Sequence, residues 1–408
     1  MHILTGVNMM TRELVLVHAD EDKIVIVPLE KLDGWQPASP QHTWIAADEK
    51  TVYVATDAIP PFNASIVVLH LGVIDWDAGT ADVQIRQILP LDVSGTPSDM
   101  PNLAQTDPSQ PIMPWTRPLY TQTHGPTFLP HSKFTYVTHY TDDRVRGFKI
   151  KNDGTLEQKI LYSERPLTRQ THGVNFNDKG TVGLGVGYDY DLGEVRVYKP
   201  NRITGDVGVT HTIKLGTDAL YGAFAHYAAW LDDRYAYVGA MQVGPTSRTR
   251  PGAKIVGPSV WLIDTQLKTA KCVIGPTQTQ DGAGMYRSPS DLAIANGKLY
   301  AAEEDSWHVH MNMPSMYGND GYISVWDIAD RAHPKFIKRL RPGQELPADF
   351  RNAHTATAMH DEDSVFVSSF VSDYLIRIDT QTDDVAKVYS AADGLSMFHG
   401  EFAAGRNR

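Results

Sequence analysis

The chain has 408 residues, 42% of them hydrophobic and 21% charged, with a formal net charge of −11. That is the balance of a globular chain with enough apolar mass for a large core, and the acidic surplus argues against nucleic acid or an anionic membrane as the main partner. A single cysteine, Cys272, excludes an intramolecular disulfide and any cysteine-rich zinc or iron–sulfur site.

The N-terminal MHILTGVNMMTREL has no basic segment ahead of an apolar run, and no stretch approaches the ~20 apolar residues of a membrane span. The expectation is a cytoplasmic protein with no membrane partner. From there the chain reads as short β-branched and aromatic runs separated by turns: ELVLVHA, KIVIVPL, TVYVATD, SIVVLHL, FTYVTHY, RVRGFKI, EVRVYK, RYAYVGA, SVWLIDT, KLYAAEE, YISVWDI, SVFVSSF and YLIRIDT. These are strands. Asn152-Asp153-Gly154, Asn177-Asp178-Lys179-Gly180 and Asn296-Gly297 supply hairpin turns. No apolar stripe at helical spacing interrupts them.

The runs repeat as a unit. HTWIAADEKTVYVATD, HGPTFLPHSKFTYVTHYTD, HGVNFNDKGTVGLGVGYD, HYAAWLDDRYAYVGAMQ and HTATAMHDEDSVFVSSFVSD each open on a histidine, turn, and continue into an apolar strand. From His42, His124, His172, His226 and His354 the apolar anchor of the second strand lies 10–12 residues on. A further unit, SPSDLAIANGKLYAAEED, keeps the offset from Ser288 to Tyr300 without a histidine. Four strands per unit at a period of roughly 45 residues predict a β-propeller. The C-terminal FHGEFAAG reads as a first strand, and the N-terminal ELVLVHA and KIVIVPL as later strands of the same blade. Joined, they close an all-β, seven-bladed ring that removes the exposed sheet edges, as one domain over residues 1–408. First-to-second and third-to-fourth turns are short and lie at the bottom. The long loops 91–122, 243–258, 276–287 and 304–320 crowd the top, where function is expected.

If each unit's leading residue enters the channel at its top, His42, His124, His172, His226, His354 and His399 converge on the axis. Glycine follows in Thr123-His124-Gly125, Thr171-His172-Gly173 and Phe398-His399-Gly400, letting the backbone pack close to the axis. Taken singly, each histidine is more simply a packing residue. Six in equivalent positions point to a transition metal, since neutral imidazole binds zinc, copper, iron and nickel and a ring without carboxylates disfavours magnesium or calcium. Copper comes first, with iron, zinc and manganese as alternatives. His308-Val309-His310-Met311-Asn312-Met313-Pro314-Ser315-Met316, on a top loop, combines imidazole with thioether sulfur and adds a weak pointer to copper. Glu303 and Asp305, in the unit lacking its histidine, and Tyr140 are candidate acid–base groups. Arg248 and Arg250 suit an anionic small-molecule substrate, and Trp115 lies on a proline-rich stretch suited to a lid or an oligomer contact through the top loops.

The segment HGPTFLPHSKFTYVTHYTDDRVRGFKIKNDGTLE resembles one blade of the lactonase-type seven-bladed propellers, the family of 6-phosphogluconolactonases and carboxymuconate-lactonizing enzymes. The resemblance implies lactone hydrolysis or cycloisomerisation with histidine, arginine and glutamate on the top face, but not a histidine ring. The ring itself is similar in architecture to the copper propellers, nitrous oxide reductase and thiocyanate dehydrogenase, which implies a ligand role for the six histidines. The leading expectation is a copper-dependent oxidoreductase acting on a small molecule in the funnel. A lactonase or lyase is the alternative, and a non-catalytic interaction propeller the second alternative.

Overall fold

The structure is a computed structural model that describes residues 3–36, 39–57, 64–91, 123–139, 144–159, 171–187, 193–217, 220–222, 225–241, 254–276, 284–304, 321–369, 371–396, 398–399 and 402–403. It is a seven-bladed β-propeller. In the first six blades four antiparallel strands follow one another in chain order from the inner to the outer edge.

The first blade comprises Ser39–Ile45, Thr51–Asp57, Ser65–Asp75 and Thr80–Pro90. The second comprises Thr123–Leu129, Phe134–His139, Arg144–Ile150 and Leu156–Lys159, and the third Thr171–Phe176, Gly183–Gly187, Glu194–Pro200 and Val207–Lys214. Ala225–Trp230, Tyr235–Ala240, Ser259–Asp264 and Thr269–Ile274 form the fourth. Ser288–Ala295, Lys298–Glu304, Tyr322–Asp327 and Lys335–Leu340 form the fifth, and Ala353–Ala358, Ser364–Ser369, Leu375–Asp379 and Val385–Tyr389 the sixth.

The seventh blade is split, as the termini predict, but the N-terminal segment gives it three strands rather than two. Ile3–Asn8 lies between Glu13–His18 and the closing strand Phe398–His399, with Lys23–Pro28 outermost. Its sequence ILTGVN hides the strand, because a glycine and a terminal asparagine break the β-branched pattern. Asn8 clasps the closure: its amide donates to the Gly394 carbonyl and its oxygen accepts from the Ser396 N–H. Phe402–Ala403 then adds in parallel to Ser39–Ile45 of the first blade.

Burial follows the strand period. The described apolar residues fall into seven clusters, one in each seam between neighbouring blades. Alternate residues of one strand serve opposite seams. Tyr300 and Ala302 pack toward the sixth blade, and Leu299 and Ala301 toward the fourth. Each buried leucine, valine or phenylalanine contributes about 1.5–3 kcal/mol, and closure spreads that gain around the ring without a weak edge. Among the described residues no helix is long and apolar enough to cross a membrane.

Candidate functional site

The inner strands reach the top of the ring with a shared irregularity. In the third, fourth and fifth blades the pairing register shifts across His172, His226 and Ser290. In the sixth it shifts across His354 and Thr355, in the first across Gln41, and in the second between His124 and Thr127. Such β-bulges re-aim side chains and cluster beside functional sites. The anchors Tyr53, Tyr136, Leu184, Tyr237, Tyr300 and Phe366 pair with Trp44, Thr127, Asn175, Ala229, Ala293 and Thr357. Three residues before each partner stands the ring position: Gln41, His124, His172, His226, Ser290 and His354. His42 is buried one residue further along, opposite Ala55. Variable turn lengths conceal this offset in the sequence, and they also make Ser288 rather than Ser290 look like the counterpart of the histidines.

The glycine after the histidine has a defined use in the second blade. Gly125 takes a left-handed φ of 52°, and a Cβ there would stand 2.5 Å from the Gly173 Cα and 2.6 Å from the His172 carbonyl oxygen. Inner strands two and three therefore meet backbone to backbone, where only glycine fits. Gly173 itself would meet only ordinary contacts.

Three of the expected ligands come together. The rings of His172 and His226 lie 4.0 Å apart between centroids, tilted by 37°, and those of His226 and His354 lie 5.9 Å apart, edge to face. All three are buried. His226 Nδ1 donates to the Ser290 carbonyl oxygen, and His354 Nδ1 donates to Glu304 Oε2 at 2.7 Å. Carbonyl and carboxylate oxygens only accept, so both imidazoles carry their proton on Nδ1 and their lone pair on Nε2. Burial pushes His354 down to about 4, so it is neutral at neutral pH and its contact with Glu304 is a hydrogen bond from an uncharged ring. The backbones of His124 and His399 pair with Thr138 and Val7; their side chains lie outside the described set. Among the described residues no three histidine, cysteine, aspartate or glutamate side chains group as closely as a single ion requires.

The fifth blade, which lacks the histidine, surrounds this group with polar atoms. The Ser290 hydroxyl donates to the His354 carbonyl at 2.6 Å, with the Ala353 carbonyl at 3.1 Å. Asp291 Oδ2 accepts from the Ala356 N–H at 2.9 Å, just past the bulge of the sixth blade. Thr138 does for the third blade what Ser290 does for the sixth, donating to the His172 carbonyl at 2.9 Å.

Glu303, singled out from sequence as an acid–base group, is wholly enclosed. Its Oε2 accepts from the N–H groups of Tyr286 and Arg287, and its Oε1 from Arg339 Nε and Nη2. The acid beside an imidazole is its neighbour Glu304. Strand alternation is the signal that distinguishes them: Glu304 shares its face with Tyr300 and Ala302, toward the sixth blade, and Glu303 shares the opposite one. Asp305, Tyr140, Arg248, Arg250 and Trp115 lie outside the described residues, as does the His308–Met316 segment.

No protein-family model matches the chain, and no curated protein matches its sequence. Solved structures share the fold. A functionally unknown protein from Desulfotomaculum acetoxidans aligns over 100% of both chains at 13% identity with a TM-score of 0.62. Hydrazine synthase of Kuenenia stuttgartiensis aligns over 91% of this chain and 90% of its own at 12% identity, TM-score 0.55. A Bacteroides fragilis protein described as a candidate 6-phosphogluconolactonase aligns over 98% and 97% at 12% identity, TM-score 0.55. The chain thus shares the propeller fold with these proteins.

Proposed function

We propose that the chain is a metal-dependent enzyme whose funnel histidines hold a transition metal, copper first, for oxidation or reduction of a small molecule. The observation that carries this reading is the way His226 and His354 are held. Each has its Nδ1 proton tied to an oxygen of the protein, the arrangement that fixes tautomer and ring orientation in metal-ligating histidines. His172 stacks on the same group, and His124 occupies the equivalent register position in its strand. His399 comes from the closing strand and His42 from the adjoining position of the first blade. The donor set is imidazole-rich, which suits copper, zinc or iron over magnesium or calcium.

Bound there, such a metal supplies electron transfer and polarisation of a small molecule. The chain's own residues exclude water from the imidazoles, hold their protons on Nδ1, and keep His354 unprotonated across neutral pH. A ligand needs a standing lone pair, and an imidazole that burial keeps neutral meets that requirement.

The test is aerobic addition of Cu(II), followed by electron paramagnetic resonance and by reduction with ascorbate. The reading predicts one bound signal with nitrogen hyperfine structure that disappears on reduction and is missing from a His172→Ala/His226→Ala/His354→Ala variant. A spectrum of free copper alone, in the folded wild type, contradicts it.

A further inference from the structure

We infer that the fifth blade, whose ring position is Ser290 rather than a histidine, is the orienting wall of the site, with Ser290 and Glu304 acting as positioning residues for His226 and His354. This rests on the reading of the funnel as a histidine site and extends it to residues that touch no substrate.

Ser290 occupies the ring position of its strand, at the bulge, where neighbouring blades carry imidazoles. Its small side chain leaves room for His226 and His354 to come within 5.9 Å of each other from the blades on either side. It also binds to both. Its carbonyl accepts the Nδ1 proton of His226, and its hydroxyl donates to the carbonyl of His354. Glu304, at the top end of the second strand of the same blade, accepts the Nδ1 proton of His354. Asp291 completes the wall by accepting the Ala356 N–H, which fixes the backbone two residues after His354, at the far side of the bulge. A run of three groups on one blade thus sets the backbone and tautomer of the sixth-blade imidazole, and one of them sets the tautomer of the fourth-blade imidazole. In water neutral histidine carries either proton, so a fixed Nδ1–H form at two adjacent rings needs such acceptors. The result is that Nε2 of each ring is the nitrogen presented for coordination.

The experiment is nitrogen-15 histidine NMR on metal-free protein, paired with Cu(II) titration of the same samples. In the wild type both His226 and His354 are expected as Nδ1–H tautomers. Glu304→Ala is expected to move His354 to the Nε2–H form and to weaken Cu(II) binding roughly 10–100-fold. Glu304→Gln, which keeps an accepting oxygen, is expected to retain the tautomer and most of the affinity. Ser290→Ala keeps the carbonyl, so His226 is expected to stay Nδ1–H while Cu(II) binding weakens less than in Glu304→Ala. Nε2–H tautomers in the wild type overturn the inference without any variant, as does unchanged Cu(II) affinity in folded Glu304→Ala. A wild type that takes up no Cu(II) but shows both Nδ1–H tautomers removes the metal reading and supports the orienting role.

Discussion

The two ends of the ring use repeated residues in opposite ways. At the bottom, the second-strand tyrosines reach across to the outer turn of the next blade. Tyr53 donates to the Gly154 carbonyl, Tyr136 to that of Gly205, Tyr237 to that of Arg331, and Tyr300 to Asp383 Oδ1. Burial raises all four phenols, so they remain protonated donors. At the top, the repeated residue is histidine, and its partners differ from blade to blade: a carbonyl for His226, a carboxylate for His354, a second imidazole against His172. The tyrosines all end on the same place, the outer turn of the next blade, as a fastening needs. The partners of the histidines lie on different elements, as a site needs, because each group must be aimed separately.

If the bottom fastens the ring, the largest loss of stability comes from there. Tyr136→Ala removes a fully buried ring between the second and third blades together with its hydrogen bond. It is expected to cost about 3–5 kcal/mol, read from guanidinium unfolding, while leaving Cu(II) affinity of the folded fraction unchanged. Gly125→Ala strikes the top of the same seam. The left-handed φ and the backbone clash are expected to cost about 2–3 kcal/mol and, by displacing the His172 backbone, to weaken Cu(II) binding as well. Equal metal affinity in this variant and the wild type would break the contrast between the ends.

Smaller effects sharpen it. Tyr300→Phe keeps the ring and removes only the donor to Asp383, whose oxygens retain Lys298 at 2.8 Å. About 1–2 kcal/mol is expected, with no change at the funnel. An effect of similar size, but one that depends on pH, is expected at Asp264. Two hydrogen bonds from Arg234 hold the Asp264 carboxyl down at about 2, below its ordinary 3.8. A carboxyl lowered in the folded state stabilises above the unfolded pKa, and that stabilisation fades as pH falls from about 4 to about 2. Asp264→Asn is therefore expected to be about 1–2 kcal/mol less stable at neutral pH, the gap narrowing through that window in thermal melts.

Sequence shows the fold more clearly than the site, for physical reasons. Period-two apolar runs and turn residues survive in every blade, so seven units and the split blade are readable. The bulges are not, since one extra residue in an inner strand looks like variation in turn length, and that hides the offset of His42 and the equivalence of Ser290. Glu304 is hidden differently. Glu303 and Glu304 are adjacent and chemically alike, and only the face each strand residue presents distinguishes the carboxylate held by Arg339 from the one held against His354. A register count from Tyr300 recovers both.

The most direct test of the central claim is metal content. Elemental analysis of the purified protein, before and after copper loading and exchange into metal-free buffer, should be run on the wild type and on the His172→Ala/His226→Ala/His354→Ala variant. The account predicts at least one retained equivalent of copper or another late transition metal in the wild type and none in the folded variant. A folded wild type that retains no more metal than the variant would contradict it.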